Sequence, residues 1–361
     1  MRAQLLVFAS AALLVGYTSC GDDEATGTDC EGTIPRQAVL VESDRFITGA
    51  LADASEAAGA LSATVDSLAN SPTVAWVFSA RNALDRARED FVDVAPYALV
   101  VDPAETSLPP VTTFPVDTSL INGYLASGDF DPTSATDFDR GLAAIEYLLH
   151  ARSPEATAEA FATEPARASL LRAYAADVGD RLAATSQAWE AERAAYLDAD
   201  GTAAGSGFSR LVNSISKHYE DTRRDRLGTP FGVTLGFPSP QALESPYAKR
   251  SHVLLHANIE ASRGAFGFLQ SPAPSLATYV DALPGDEASA LATDIAEQYG
   301  IAQQALARIV SNDFANELEN NRDAVQVAYN AISRQVVNLK TDLPSVTCVS
   351  ITYVDNPSDS D

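Results

Sequence analysis

The sequence predicts an all-α protein: two antiparallel helical-bundle domains side by side, ending in a short extended C-terminal tail. Three observations predict it. From Pro35 onward, apolar residues recur at steps of three and four through nearly the whole chain, the spacing of one helix face. About eight such stretches are long, and Ser-Pro, Gly-rich or Pro-rich breaks separate them, as between antiparallel neighbours. Near the middle, Gly201 to Gly207 is rich in Gly and Ala, the best linker signal in the chain. The resulting division is an export signal at 1–19, a flexible tether at 20–34, and bundles at 35–200 and 208–354. Repetition at a fixed period is absent, which disfavours a solenoid.

The elements follow in order. Leu40, Ile47, Leu51, Ala54, Ala58, Leu61, Val65 and Leu68 form the stripe of a long first helix. Ser71-Pro72 reads as a restart, with Ser as cap and Pro at the first helical position. Val77, Ala80, Leu84, Ala87 and Phe91 make the second stripe. Residues 95–117 are Pro-rich and irregular, a loop long enough to cover something. A third helix carries Phe138, Leu142, Ile145 and Leu149, with Gly141 placed where another backbone or a ligand could approach. Ser153-Pro154 and Glu164-Pro165 start further helices, the second striped by Leu171, Tyr174, Val178, Leu182, Thr185, Trp189 and Tyr196. After the linker, Phe208, Val212, Ile215, Tyr219 and Thr222 mark a helix up to Leu227, and Gly228 to Gln241 reads as a loop. Ser245-Pro246 reads as the start of a helix running to about Leu269. Two more stripes follow, through Leu306 and through Leu339, and then Val349, Ile351 and Tyr353 alternate as a short strand would.

The amino terminus looks like an export signal. Arg2 precedes an apolar run from Leu5 to Val15 that is too short to span a bilayer, and Tyr17-Thr18-Ser19-Cys20 follows. Small residues directly before Cys20 point to lipidation of that cysteine, and hence to a membrane partner through an N-terminal lipid anchor. Cleavage nearby with Cys20 as a plain thiol is the alternative. The expected location is the bacterial envelope, at the periplasmic face of the outer membrane or the cell surface. With Cys20 lipidated, Cys30 and Cys348 remain as an even pair in an oxidising compartment, either bridged or as two separate thiols. Lys and Arg number 24 against 49 Asp and Glu, a net charge of −25. With no basic patch in the chain, the composition disfavours nucleic acid as a partner.

Few arrangements could carry chemistry. The His-Glu-x-x-His zinc motif, the Gly-x-Ser-x-Gly elbow and the phosphate-binding Gly-rich loop are all missing. Of four histidines, His252 and His256 stand one turn apart with Glu260 one turn further, a stripe suited to a divalent or ferric metal ion or to a plain polar face. The other two are His150 and His218. A second set is Arg81, Glu146, Glu244, Ser251 and Asn258. Glu146 interrupts the apolar run Gly141-Leu142-Ala143-Ala144-Ile145-Glu146-Tyr147-Leu148-Leu149. A carboxylate there is either a surface residue beside the stripe or part of a polar site needing partners. Spacing alone leaves open whether that set binds a ligand or forms a structural network.

Several blocks together resemble the imelysin family of bacterial envelope proteins. They are Trp76 to Arg88, Phe114-Pro115-Val116-Asp117, Gly141 to Leu149, Arg226-Leu227-Gly228-Thr229-Pro230-Phe231-Gly232, Glu244 to Ser251 with Asn258, and Leu339 to Leu343. The resemblance implies two helical-bundle domains sharing a cleft, export, and a link to iron or other ligand uptake. It also implies a metallopeptidase class resting on a Gly-x-His-x-x-Glu motif. Here Gly141 and Glu146 match but Ala143 stands where the His would be, and Ala248 stands where a Ser is usual. Without that His, the expectation is a non-catalytic protein holding a small ligand or metal ion in a cleft lined by Arg81, Glu146, Arg226, Glu244, Ser251 and Asn258. Two other readings stay open: a metal-dependent peptidase using Glu146 with ligands such as His252 and His256, and an envelope interaction module.

Overall fold

The computed structural model describes residues 30–130, 135–267, 273–309 and 313–353. The export segment, Cys20 and the tether up to residue 29 lie outside the described residues. All regular structure among the described residues is helical. In order, the helices are α1 (Arg36–Asn70), α2 (Val74–Val94), α3 (Ala98–Val101), α4 (Pro109–Thr112), α5 (Thr118–Ser127), α6 (Gly141–His150), α7 (Pro154–Thr163) and α8 (Pro165–Asp198). Then follow α9 (Gly207–Asp221), α10 (Thr229–Phe231), α11 (Ser251–Phe266), α12 (Leu276–Asp281), α13 (Asp286–Leu306), α14 (Phe314–Asn320), α15 (Arg322–Val337) and α16 (Leu343–Thr347).

Helix α1 lies between α2 and α8, and α6 rests on α8 and α2. The predicted α1 stripe, Leu40 through Leu68, is buried along its whole length. Each Leu, Ile or Val of the stripe is worth about 1.5–3 kcal/mol of burial, so the stripe rather than intrinsic propensity holds this long helix in place. The α8 stripe faces it, and Tyr196 reaches Ser43 at 2.7 Å, joining the N-terminal part of α1 to the end of α8. In the second half, α13 pairs with α15, and α11 packs on α9 and α13. Contacts of α9 with α1 and α8, and of α11 with α2, join the two groups, and one apolar core runs through both. Cys30 and Cys348 form a disulfide, with Cα atoms 5.8 Å apart, which clips the start of the described chain to its end.

Several elements differ from the sequence expectation. The cap of α2 is Thr73, whose hydroxyl accepts from Trp76 N–H at 3.3 Å, so Ser71-Pro72 stays outside the helix. The 95–117 stretch holds α3 and α4. Asp102 organises it, accepting from the backbone N–H groups of Ser107 and Leu108 at 2.7 and 2.9 Å. Phe138 lies before α6 and is 52% exposed, so it is not part of the stripe. Helix α11 begins at Ser251, and residues 245–250 form a turn, because the carboxylate of Glu146 takes up N–H groups that a first helical turn would leave free. The tail is not a strand. The Asn213 side chain clasps it, donating to Ser350 O at 3.0 Å and accepting from Thr352 N–H at 2.7 Å.

Two π-helical turns, Thr222–Gly228 and Asn338–Asp342, continue α9 and α15. One extra residue per turn rotates the side chains that follow. The first carries Arg224, Asp225 and Arg226 to the wall of the cavity described next.

Candidate functional site

The junction of the two helix groups is built on Glu146. It is 1% exposed, on the face of α6 turned to α2 and to the 245–250 turn. One carboxylate oxygen, Oε2, accepts from the Arg88 guanidinium and from the Ser245 hydroxyl at 2.6 Å. The other, Oε1, accepts from the backbone N–H groups of Tyr247 and Ala248 at 2.8 and 3.0 Å. Arg88 Nη1 also donates to Ser245 Oγ at 2.9 Å, and Ser251 Oγ accepts from Ser245 N–H at 3.0 Å. A carboxylate has roughly four lone-pair positions, and all are taken. Burial opposes the charge on Glu146, but Arg88, the Ser245 hydroxyl and the Ala248 N–H outweigh it and hold the carboxyl below its ordinary range.

Gly141 opens α6 with φ +76°. A Cβ there would lie 2.4 Å from Pro110 O and 2.6 Å from Val111 O, so the close approach is that of the α4 backbone. Ala143, two residues on, borders two holes of about 20 Å³ each, the first shared with Arg88, Arg226 and Asn258, the second with Glu146, Glu244 and Tyr247.

Arg226 and Glu244 form a bidentate pair, Nε to Oε2 at 2.9 Å and Nη2 to Oε1 at 3.2 Å, with the guanidinium 5.4 Å from the Phe114 ring centre. Asn258 donates to Leu254 O at 2.8 Å, which turns its carbonyl oxygen towards His218 Nε2 at 3.0 Å. His218 is 7% exposed, and burial together with the nearby Arg226 charge pushes its pKa down to about 4. A cavity of about 430 Å³ opens beside it, bounded by α2, the 95–114 stretch, Phe138, α9 and the π-helical turn.

The structure thus brings together Glu146, Ser251, Arg226, Glu244 and Asn258 around Ala143, Arg88 and the turn. Arg81 is not a partner of Glu146: its guanidinium donates to Leu149 O at 3.0 and 2.7 Å and to Arg152 O at 3.0 Å, closing the end of α6. His252 and His256 stack edge to face at 4.7 Å, His252 Nε2 lies 3.2 Å from Leu306 O, and Glu260 pairs with Arg263. Among the described residues, no three His, Cys, Asp or Glu side chains gather as a metal-binding group. The metal ion that the resemblance implies does not fit this donor set: Ala143 offers no ligand, and all four acceptor positions of Glu146 are filled.

Sequence reasoning missed Arg88, Ser245 and His218. Arg88 had a signal, since it falls four residues after Leu84 and three before Phe91, a charge inside the buried stripe. Ser245 reads in sequence only as part of a helix start. His218 stands three residues after Ile215 and one before Tyr219, beside the α9 stripe, and nothing in its spacing marked it.

These features define a class: an all-helical scaffold whose two helix groups meet at a buried glutamate paired with arginine, next to a cavity. The sequence model of the imelysin family matches residues 47–339, and the chain belongs to the imelysin family. No curated protein sequence matches it. The fold is similar to the crystal structure of a candidate iron-regulated protein A precursor from Parabacteroides distasonis ATCC 8503, with TM-score 0.70 and 16% identity over 86% of this chain and 95% of that one. It is also similar to an imelysin-like protein from Psychrobacter arcticum 273-4, with TM-score 0.70 and 14% identity over 90% of this chain and 99% of that one.

Proposed function

We propose that this imelysin-family protein is a non-catalytic binding protein, exported to the bacterial envelope and lipid-anchored at Cys20, that holds a small organic molecule between its two helix groups. The observation that carries the reading is the pairing of a saturated Glu146 with an open cavity of about 430 Å³ alongside. A carboxylate with four donors has no lone pair left to activate water or ligate a metal, which argues against the peptidase alternative. The cavity has the size and mixed lining of small-molecule sites, with Phe91, Leu99, Leu108, Phe114 and Phe138 supplying apolar surface. The Cys30–Cys348 disulfide supports an oxidising compartment, and the Thr18-Ser19-Cys20 sequence supports lipidation. The description of the Parabacteroides neighbour as iron-regulated supports an iron-linked setting, without making iron the ligand.

The test uses N-phenyl-1-naphthylamine, an uncharged aromatic probe whose fluorescence rises on leaving water. The full mature protein gives saturable enhancement, and Ala98→Trp, which fills the cavity from its wall, weakens binding at least about tenfold. Enhancement that is absent, or unchanged by Ala98→Trp, overturns the reading. Labelling with radioactive palmitate in cells tests the anchor: wild type is labelled and Cys20→Ser is not.

A further inference from the structure

Two arginines stand apart from the other cations of the chain. Every other described lysine or arginine has a carboxylate, a backbone carbonyl or an aromatic ring as its partner. Arg308 and Arg334 have none of these among the described residues. Acid is not scarce, with 49 Asp and Glu against 24 Lys and Arg. Both unpaired guanidinium groups are exposed, and both line the same groove.

That groove, of about 250 Å³, runs between α13 and α15. Gln298 donates to Ala331 O at 2.7 Å and Gln335 to Ile295 O at 3.2 Å, which fixes the two helices antiparallel. This order puts Arg308, just past the end of α13, and Arg334, in the last turn of α15, at opposite ends of the groove. Ala305 and Ala331 form its floor, buried side chains too small to fill it. Between the arginines lie Ile301 and Val327, 46% and 44% exposed. A groove this open does not enclose a small molecule, whose sites bury most of the ligand. It suits a segment laid along it, apolar in the middle and negative at its ends.

We propose that this groove is a docking site for an acidic segment of a partner protein, with apolar side chains against Ile301 and Val327 and carboxylates on Arg308 and Arg334. The arginine fork takes a carboxylate through two parallel hydrogen bonds, and neither guanidinium has an ion pair to give up first. Charge also selects the place. A chain of net charge −25 repels an acidic segment over most of its surface, so a basic groove fixes where such a segment lands. The same net charge opposes approach to anionic headgroups, so a lipid surface is the poorer fit. The groove shares no lining residue with the cavity beside His218, and the inference stands apart from the cavity reading.

Fluorescence polarisation of a labelled peptide, Asp-Glu-Leu-Leu-Asp-Glu, with the full mature protein tests it. The expected result is saturable binding that weakens about tenfold in Arg308→Gln/Arg334→Gln, the size of two exposed ion pairs lost together. The amide peptide Asn-Gln-Leu-Leu-Asn-Gln loses as much on wild type, and Val327→Ser weakens the acidic peptide as well. Circular dichroism and melting temperature check that the variants are folded; should the double variant fail to fold, the comparison of the two peptides on wild type decides. Absent binding, equal binding of the acidic and amide peptides, or an affinity unchanged in the folded double variant overturns the proposal. Cosedimentation with phosphatidylglycerol vesicles that needs both arginines, without peptide binding, assigns the groove to a membrane and overturns it too. A wild-type dimer that the double variant dissociates, again without peptide binding, assigns it to a second copy and does the same.

Discussion

Glu146 and His218 are both buried, titratable and within one continuous core, yet they sit in opposite conditions. The carboxylate has four donors for roughly four lone-pair positions. The imidazole has one partner and one open nitrogen. Glu146 belongs to packed helix junctions, where an unpaired charge would be prohibitive. His218 lies on the wall of a cavity, but its unpaired nitrogen is itself closed off from solvent. In a helical bundle, then, a buried charge is not itself a sign of chemistry.

The largest effect that could break this contrast comes from Glu146→Ala. It strands the buried Arg88 guanidinium, and urea unfolding should show a loss of about 3–5 kcal/mol. The double variant Arg88→Met/Glu146→Leu should recover much of it, because no unpaired charge remains. Removing the disulfide through Cys30→Ser/Cys348→Ser comes next, at about 2–5 kcal/mol for a bridge that closes most of the chain. Gly141→Ala should cost about 1–3 kcal/mol or more, since a left-handed backbone and two carbonyl oxygens both oppose a Cβ.

Acid sharpens the comparison. The folded His218 titrates near 4, below the ordinary 6.5, so the unfolded chain takes up the proton first. Its contribution is fully present above about pH 6.5 and is lost as pH falls towards 4. His150 is depressed to about 4 as well, by burial and the Arg81 charge, and acts in the same window. Glu146, held below the carboxylate range, contributes above that range and is lost only at lower pH. Stability measured against pH should therefore fall in two stages, and His218→Phe should shrink only the upper one, leaving the share of His150. The smallest effect is expected from Ala143→His. It restores the motif in sequence, but metal analysis of the purified variant should find no stoichiometric zinc or iron, because Glu146 keeps its four donors.

Much of the fold was legible because long stripes fix which face of a helix is buried, as in α1 and α8. Glu146 was legible too, as a carboxylate inside an apolar run. Its partner was not. Arg81 and Arg88 stand seven residues apart on one face of α2, and which of them meets Glu146 depends on how far α6 slides along that face. Local signals also misled where a tertiary group took over a local job. Glu146 claims N–H groups in the 245–250 turn, and the Asn213 amide replaces a strand partner for the tail. The His218 lone pair is invisible in sequence, because it follows from the orientation of Asn258, which is set in turn by Leu254 O.

The central claim is that Glu146 is a structural junction and that the neighbouring cavity, not the carboxylate, takes the ligand. The most direct measurement is the affinity of N-phenyl-1-naphthylamine for folded Glu146→Gln and Ala98→Trp proteins, side by side. The account predicts wild-type affinity in Glu146→Gln and binding at least about tenfold weaker in Ala98→Trp. Binding that is lost in Glu146→Gln and survives in Ala98→Trp would contradict it.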